Sequence, residues 1–123
     1  MKIMVVEDEP ASSKLVCVVL AAEGHSVVTA SSAEAAFDSV KADKPDVLLL
    51  DLLLPGMDGL RLARLLTSDP SAEGIRIIAL TAFPDVFHKE QAISAGCDAF
   101  LVKPVNTRTL ASDLFKTPSD KRS

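Results

Sequence analysis

The sequence predicts an α/β fold, in which five parallel strands form one doubly wound sheet with helices on both faces. Five short β-rich segments alternate along the chain with five segments whose apolar residues recur at helical spacing. The third β-rich segment runs into residues 47–54, where Asp51 is the one ionisable residue in an aliphatic run. Such a run is typical of a strand buried on both faces of a parallel sheet. Right-handed crossovers between parallel strands then place helices on both faces.

The first strand and helix are predicted from the opening 24 residues. Residues 2–6 are rich in apolar and β-branched side chains, and Pro10 suits the first position of a helix that Gly24 ends. The spacing i, i+3, i+4 and i+7 predicts that the helix faces inward with Leu15, Val18, Val19 and Ala22.

The second strand is predicted at residues 26–30, followed by a helix that runs to about Ala42. Ser31 and Glu34 fit a capping box at the start of this helix, because a serine three residues before a glutamate satisfies two free backbone N–H groups. The same helical spacing predicts that the inward residues are Ala33, Ala36, Phe37 and Val40.

The third and fourth units follow the same alternation. The third strand is predicted at residues 46–51, and Asp58 is a suitable N-cap for the next helix. The inward residues of that helix are predicted to be Leu62, Leu65 and Leu66. The fourth strand is predicted at residues 75–80, and the fourth helix from Pro84 to Gly96.

The last unit has a fifth strand at residues 98–102 and a short helix capped by Asn106 or Thr107. The inward residues of this helix are predicted to be Leu110, Ala111 and Leu114. One domain is expected over residues 1–116, because 123 residues bury one good core but hardly two. Residues 117–123 are expected to form a short, polar, frayed tail.

Composition excludes several classes of partner. The formal net charge is −4 and the pI is about 5.1, so no global positive field favours binding to nucleic acid or to an anionic membrane. No apolar run is long enough to span a bilayer, and the first strand follows Met1 directly, so a cytoplasmic protein is expected. Cys17 and Cys97 lack the spacing of metal or redox motifs and are expected to be reduced thiols.

Polar residues stand where four of the predicted strands end. Glu7 and Asp8 follow the first strand, Asp51 ends the third, Thr81 ends the fourth and Lys103 ends the fifth. Ligands of doubly wound sheets bind beyond the carboxyl ends of the strands, where the strand order reverses. We therefore expect these side chains to form one site.

The residue types of this site favour phosphoryl chemistry. Three carboxylates in close proximity repel one another unless a cation holds them, and Mg²⁺ suits a site with few carboxylates and a phosphate oxygen. Asp51 is a candidate nucleophile, since carboxylates form aspartyl-phosphates. Lys103 would neutralise the transferred group, and Thr81 would donate a hydrogen bond to one of its oxygens. The chain contains no GxxxxGK, GxGxxG or GxSxG motif, which argues against a bound nucleotide or a serine hydrolase.

Short motifs follow the strands in a fixed order and carry a resemblance to a known family. They are Glu7-Asp8, Asp51, the loop Leu54-Pro55-Gly56-Met57-Asp58-Gly59, Thr81-Ala82, Ala95-Gly96, Phe100 and Lys103-Pro104. In order and spacing they resemble the receiver domain of two-component response regulators, over residues 2 to about 115. The resemblance implies a flavodoxin-like five-stranded sheet of order 2-1-3-4-5 with five helices.

The resemblance also implies the roles of the site residues. Asp51 would accept a phosphoryl group from a sensor histidine kinase or a histidine phosphotransfer protein. The implied ligands of Mg²⁺ are Glu7, Asp8, Asp51 and the backbone carbonyl of Leu53. A cis peptide bond between Lys103 and Pro104 would aim the lysine at the phosphate. Such a protein is a phosphoacceptor in signalling rather than an enzyme.

The family's switch is implied in the same way. Thr81 would move toward the phosphoryl group, Phe100 would turn inward, and the face made by helix 4, strand 5 and helix 5 would bind a downstream protein. The family often has tyrosine where this chain has Phe100, so the alternative that Phe100 stays buried is kept. The protein is expected to be a monomer or a phosphorylation-dependent dimer. Leu53 and Phe83 are predicted to limit access of water to the cleft and so to lengthen the life of the phosphate.

Three other interpretations compete with this one. A degenerate receiver that binds partners without phosphorylation is the main alternative, although no acid and no lysine of the motif is missing. A haloacid dehalogenase-like phosphatase needs a second acid two residues after the nucleophile, where this chain has Leu53. A flavodoxin-like electron carrier needs aromatic residues around the flavin, and the chain has no Trp or Tyr. We expect a free-standing receiver that acts by protein contact, as a relay, a phosphate sink or a regulator.

Overall fold

The computed structural model describes residues 1–114, and these form five strands and five α-helices in strict alternation. The elements are β1 (Lys2–Val6), α1 (Pro10–Ala22), β2 (Ser26–Ala30), α2 (Ala33–Ala42), β3 (Val47–Asp51), α3 (Gly59–Thr67), β4 (Arg76–Thr81), α4 (Lys89–Ser94), β5 (Ala99–Val102) and α5 (Leu110–Asp113). A short 3₁₀ turn, Pro70–Ala72, lies between α3 and β4. The expected tail at 117–123 and the end of the expected domain lie outside the described residues.

The five strands form one parallel sheet in the order β2-β1-β3-β4-β5. This order confirms the flavodoxin-like, doubly wound sheet. The chain reverses direction across the sheet between β1 and β3, so the crevice at their carboxyl ends is the expected place for a ligand.

Strand β3 lies at the centre of the sheet and contributes to both hydrophobic cores. All five of its residues are buried, and alternate side chains enter opposite layers. Leu48 and Leu50 pack with buried residues of α2, α3 and α4, whereas Val47 and Leu49 pack with those of α1 and α5. This double burial explains why the strand is an unbroken aliphatic run up to its last residue.

The predicted inward face of α1 is wrong. The buried residues of this helix are Val16 and Leu20, whereas Leu15 and Val18 are 50% and 58% exposed. The reason is physical: residues 15–22 are all apolar, so several helical stripes have the same hydrophobic pattern. A smaller correction applies to α3, where Leu65 is 38% exposed while Leu62 and Leu66 are buried.

Helix α4 begins later than predicted. It starts at Lys89 rather than Pro84, because the Phe83 carbonyl accepts from the N–H groups of Val86 and Phe87 in a separate turn. The backbone N–H of His88, to which the sequence pattern assigns no role, donates to Gln91 Oε1 at 2.7 Å and marks the start of the helix.

The remaining corrections concern N-caps. Ser32, not Ser31, caps α2, and its Oγ accepts from the N–H of Ala35 at 3.1 Å. The N-cap of α5 is Thr109, while Asn106 accepts from the Arg108 N–H in a preceding turn. Adjacent Ser, Thr and Asn residues have similar capping propensity, so the sequence alone does not choose among them.

Candidate functional site

Four strands deliver polar residues to one edge of the sheet. Glu7 directly follows β1, Asp51 ends β3, Thr81 ends β4 and Lys103 directly follows β5. Glu7, Asp51 and Thr81 are the buried polar or charged residues of the described chain. Beside them lies a cleft of about 390 Å³ whose lining includes Glu7, Asp51, Lys103 and the exposed Asp8.

Lys103 connects the two buried acids. Its Nζ lies 2.5 Å from Glu7 Oε1 and 2.9 Å from Asp51 Oδ2. The backbone N–H of Lys103 donates to the Thr81 carbonyl at 2.8 Å, which positions the residue beside β4, and the peptide bond to Pro104 is cis. One ammonium group thus links the carboxyl ends of β1, β3 and β5.

The turn after β3 supports the second oxygen of Asp51. The backbone N–H of Leu53 donates to Asp51 Oδ1 at 2.9 Å, and the N–H of Leu52 continues the sheet by donating to the Leu80 carbonyl. Both carboxylate oxygens of Asp51 therefore have a hydrogen-bond donor, one from the main chain and one from Lys103. This arrangement holds the ionised carboxylate in one orientation.

Glu7 is less completely compensated. Its Oε2 is buried and has no hydrogen-bond partner among the described residues. Burial raises the pKa of Glu7 to about 7, and the nearby Asp51 adds to this rise against the opposing effect of Lys103. For Lys103, burial acts to lower the pKa, but the hydrogen bonds to Glu7 and Asp51 outweigh burial and raise it.

The acidic side chains fit a divalent metal ion. Glu7, Asp8 and Asp51 each offer a carboxylate oxygen, and these oxygens lie within 4.8 Å of one another. The unpartnered Oε2 of Glu7 is the kind of buried acceptor that a cation would satisfy. Oxygen ligands of this type suit Mg²⁺. Leu53, whose backbone carbonyl was the fourth expected ligand, also lines the cleft.

Thr81 and Phe100 lie away from the cleft surface. Thr81 is fully buried and is not among the residues that line the cleft, and its Oγ1 accepts from the Phe83 N–H at 2.9 Å. Phe100 is partly buried and packs against the core layer that contains the buried residues of α2, α3 and α4. The structure thus brings the acids and the lysine together at the cleft, whereas Thr81 is buried and does not line it.

Leu53 and Phe83 stand at the mouth of the cleft. Both line it, and each is 49% exposed. These two large apolar side chains are half-exposed because they lie in the turns that follow β3 and β4, beside the opening of the cleft.

Two residues of the site region have roles that the sequence analysis missed. Glu9 accepts from the Ala11 N–H at 2.9 Å and caps α1, and its place directly before Pro10 was the available signal. Gly59 has no room for a side chain, because a Cβ there would lie 2.6 Å from the Asp51 carbonyl oxygen. The close approach of α3 to β3 has no signature in the local sequence pattern.

The part of the chain that the structure describes contains no helix with both the length and the apolar character needed to cross a membrane.

Comparison with known proteins agrees with this fold and this cleft. A family model described as "response regulator receiver domain" matches residues 3–115. The chain is 39% identical over 109 residues to the phosphate regulon transcriptional regulatory protein PhoB of Rhizobium meliloti, covering 89% of this chain and 48% of PhoB. It is 32% identical over 111 residues to the DNA-binding response regulator MtrA of Mycolicibacterium smegmatis, covering 90% of this chain and 47% of MtrA. The chain therefore spans about half the length of these curated relatives.

Solved structures of similar size cover nearly the whole chain. A putative response regulator from Chloroflexus aurantiacus has a TM-score of 0.85 at 31% identity, over 90% of this chain and 91% of that one. The receiver domain of the sensor histidine kinase PA1611 from Pseudomonas aeruginosa has a TM-score of 0.84 at 28% identity, over 92% and 93%, and carries a magnesium ion in its active-site cleft. The family model, the relatives and the sheet order together show that the chain belongs to the receiver domain family of two-component response regulators.

Proposed function

We propose that this receiver domain is a phosphoacceptor, in which Asp51 takes a phosphoryl group from a phosphohistidine donor. The observation that carries the proposal is the position of Asp51. Its carboxylate lies in a solvent-connected cleft, oriented by the Leu53 N–H and by the Lys103 ammonium group.

In the proposed step, a carboxylate oxygen of Asp51 attacks the phosphorus atom of the phosphohistidine. A P–O bond forms while the P–N bond breaks, and the leaving imidazole takes up a proton. The transferred group carries negative charge on its outer oxygens, so catalysis depends on position and on opposing positive charge. Lys103 already lies 2.9 Å from the attacking carboxylate and supplies one such charge.

Glu7, Asp8, Asp51 and the Leu53 carbonyl are the residues that would hold Mg²⁺. When bound, the ion would neutralise charge on the transferring phosphoryl group. Support comes from the three carboxylates whose oxygens lie within 4.8 Å of one another, and from the magnesium ion in the cleft of the PA1611 receiver domain.

Thr81 would take part after transfer. Its hydroxyl now accepts a hydrogen bond from Phe83, which uses an oxygen lone pair and leaves the hydroxyl proton for donation to a phosphoryl oxygen. Such a donation requires the buried hydroxyl to move toward the cleft and to give up its bond to the Phe83 N–H. The loop that leads into α4 would then follow. Phe87 of that loop and Phe100 of β5 pack against the same hydrophobic cluster.

The proposed partners are a sensor histidine kinase or a histidine phosphotransfer protein upstream, and a protein target downstream. The target would bind the face made by α4, β5 and α5, where Val102 is 46% exposed. We propose a monomer or a phosphorylation-dependent dimer and a role in signalling rather than in turnover of a metabolite.

Intact mass spectrometry after incubation with acetyl phosphate tests the proposal. The parent protein should gain one phosphoryl group with Mg²⁺ and none when the ion is chelated. Asp51→Asn should gain none, because an amide is too weak a nucleophile. Asp38→Asn, which alters an exposed acid on α2, away from the cleft, should behave like the parent.

If the parent gains no phosphoryl group under any condition, the result argues against phosphoacceptor chemistry at Asp51. The degenerate receiver, which binds partners without phosphorylation, would then be the better description. A gain that survives in Asp51→Asn would place the acceptor elsewhere.

A further inference from the structure

The cleft beside Asp51 is lined by more acidic side chains than the proposed metal site uses. Among residues 1–114, the lining contains one basic side chain, Lys103, and four acidic ones, Glu7, Asp8, Glu9 and Asp51. Three of these acids bring their oxygens within 4.8 Å of one another and are the proposed ligands of Mg²⁺, whereas Glu9 does not belong to that group. A fourth acid therefore faces the cleft without a part in holding the ion.

The charges of the cleft balance without Glu9. Bound Mg²⁺ and the Lys103 ammonium group together would carry three positive charges, which match the three carboxylates proposed as ligands. The Glu9 carboxylate is then a surplus negative charge, and it is exposed to the solvent from which a phosphodonor arrives. This charge repels an approaching anion by an amount that depends on the charge of the anion and on the ionic strength.

Glu9 also changes what the start of α1 offers to an anion. A helix N-terminus attracts phosphate through its free N–H groups and its partial positive charge. In this helix Pro10 has no N–H, and the N–H of Ala11 donates to Glu9 Oε1 at 2.9 Å. The carboxylate of Glu9 thus occupies one donor and opposes the positive charge of the helix end, directly beside the cleft.

We propose that Glu9 is a specificity-determining residue, which disfavours small dianionic phosphodonors such as acyl phosphates and so leaves Asp51 to donors that a protein delivers. This inference rests on the phosphoacceptor function and the Mg²⁺ site proposed above. A small donor is positioned in the cleft by few groups, so one nearby charge affects it directly. A phosphohistidine is positioned by contacts over a whole protein interface, so the same charge affects its reaction far less.

Two small donors of different charge separate repulsion from other effects. With acetyl phosphate, an oxygen of Asp51 attacks phosphorus, a P–O bond to Asp51 forms, and the P–O bond to the acyl group breaks with release of acetate. With phosphoramidate, the P–N bond breaks instead and ammonia leaves. Acetyl phosphate is a dianion at neutral pH, whereas phosphoramidate has a protonated nitrogen and one net negative charge. Repulsion by Glu9 should therefore be stronger for acetyl phosphate.

The rate of labelling of Asp51, followed by intact mass at limiting donor and saturating Mg²⁺, tests the proposal. Glu9→Gln and Glu9→Ser remove the charge but keep an oxygen that can accept from the Ala11 N–H. With acetyl phosphate at about 0.02 M ionic strength, both variants should react about two- to threefold faster than the parent. The gain should be about 1.5-fold with phosphoramidate, and it should nearly vanish for both donors in about 0.5 M salt.

Two further variants serve as controls for charge and position. Glu9→Asp keeps the charge and a capping oxygen, and it should react within about 1.5-fold of the parent. Glu23→Gln makes the same change in charge at the opposite end of α1, where Glu23 is exposed and does not line the cleft. Its labelling rate should equal that of the parent.

Calorimetric titration with Mg²⁺ provides a readout that does not depend on labelling. Because Glu9 is not a proposed ligand, Glu9→Gln and Glu9→Ser should bind the ion within about twofold of the parent. A faster reaction with unchanged metal affinity assigns the effect to the donor. A loss of affinity of about tenfold or more would make Glu9 a ligand of the ion and would overturn the proposal.

The other contrary outcomes are distinct from one another. If acetyl phosphate labels the parent and neither neutral variant reacts faster, the role of Glu9 is overturned and the phosphoacceptor function stands. Equal gains with both donors, or a gain that persists in high salt, would mean that the substitutions alter the shape of the cleft rather than its charge, and would also overturn the proposal. No labelling of the parent by either donor would count against the phosphoacceptor function and this inference together.

Discussion

At the scale of single residues, the charge balance of the cleft rests on one ammonium group and two buried carboxylates. Lys103 contacts both acids, and the Leu53 N–H donates a hydrogen bond to Asp51. The Oε2 atom of Glu7 has no hydrogen-bond partner among the described residues. Burial is the largest contribution to the raised pKa of Glu7, Asp51 raises this pKa further, and Lys103 opposes the rise.

The pKa of Glu7, raised to about 7, predicts how Mg²⁺ binding depends on pH. A carboxyl group must lose its proton to bind a metal ion, so protons compete with Mg²⁺ below pH 7 and not above it. Affinity should fall by up to about tenfold per pH unit below 7. Calorimetry in buffers of different ionisation enthalpy should detect proton release at pH 6 and almost none at pH 8.5.

The control for this pH dependence is Glu7→Gln, which cannot ionise. Its weaker Mg²⁺ binding should show no proton release between pH 6 and 8.5. Release of the same number of protons by this variant and by the parent would mean that another group titrates.

The positions of Leu53 and Phe83 predict a long lifetime for the phosphorylated state. Both are apolar and line the cleft, so they should restrict the water that attacks the phosphorus atom. The double variant Leu53→Asn with Phe83→Glu should lose phosphate about five- to tenfold faster. The rate is measured by intact mass after removal of acetyl phosphate.

Val86→Asn is the matched control for this pair. Val86 is 61% exposed on the same loop as Phe83 but is not among the residues that line the cleft. Its phosphate lifetime should equal that of the parent. Equal lifetimes for the double variant and the parent would show that Leu53 and Phe83 do not limit the access of water.

At the scale of elements, the turn from β3 into α3 determines how Asp51 is presented. Helix α3 begins at Gly59, whose N–H donates to the Leu52 carbonyl at 3.0 Å, and Asp58 caps the helix by accepting from the Arg61 N–H. The helix therefore starts against the backbone of the strand that carries the proposed phosphoacceptor. Only a residue without a side chain fits between them.

Gly59→Ala should consequently destabilise the domain. The added Cβ would lie 2.6 Å from the Asp51 carbonyl oxygen and 2.7 Å from Leu52 Cα, and neither backbone atom can move independently of β3. We expect a loss of about 1–3 kcal/mol in the free energy of unfolding, measured with urea. Slower labelling by acetyl phosphate is also expected, because Asp51 would shift.

Gly24→Asn is the control for this substitution. Gly24 has a φ of +89°, and a Cβ added there would have no other atom within 4 Å. Asparagine tolerates positive φ better than most residues. The free energy of unfolding should change by less than about 1 kcal/mol. If Gly59→Ala is as stable as this control, the contact between α3 and β3 is more yielding than its geometry indicates.

At the scale of the whole molecule, the cleft lies at the carboxyl edge of the sheet, and the face proposed to bind a target is made by α4, β5 and α5. The proposed connection runs along one loop: Thr81 accepts from the Phe83 N–H, and the Phe83 carbonyl accepts from the N–H groups of Val86 and Phe87. Phe87 and Phe100 then pack against the same hydrophobic cluster. Movement of the Thr81 hydroxyl would remove the first of these bonds.

Hydrogen exchange measured by mass spectrometry tests this connection. With acetyl phosphate and Mg²⁺, amides of residues 83–88 should exchange at least about fivefold faster, because the bond from Phe83 to Thr81 is lost. The amides of β1 and β2, toward the opposite edge of the sheet, should exchange at the same rate as in the unphosphorylated parent. Asp51→Asn under the same conditions should match the unphosphorylated parent, and unchanged exchange at residues 83–88 in the phosphorylated parent would contradict the proposed switch.

Much of the architecture follows from local pattern. The five strand–helix units and the doubly wound sheet were predicted, because strand and helix periods are local and right-handed crossovers leave few topologies. The convergence of Glu7, Asp8, Asp51 and Lys103 on one edge was predicted for the same reason, since the carboxyl ends of parallel strands coincide.

The tertiary structure decided those features for which the local sequence pattern allowed several solutions. It selected Val16 and Leu20 as the buried face of an apolar helix, because only packing against the sheet distinguishes one apolar stripe from another. It also decided that Lys103 contacts Glu7 as well as Asp51, and that Thr81 is buried and does not line the cleft. These features depend on distances between side chains far apart in sequence, which are set by the packing of the whole domain and not by the pattern of any one segment.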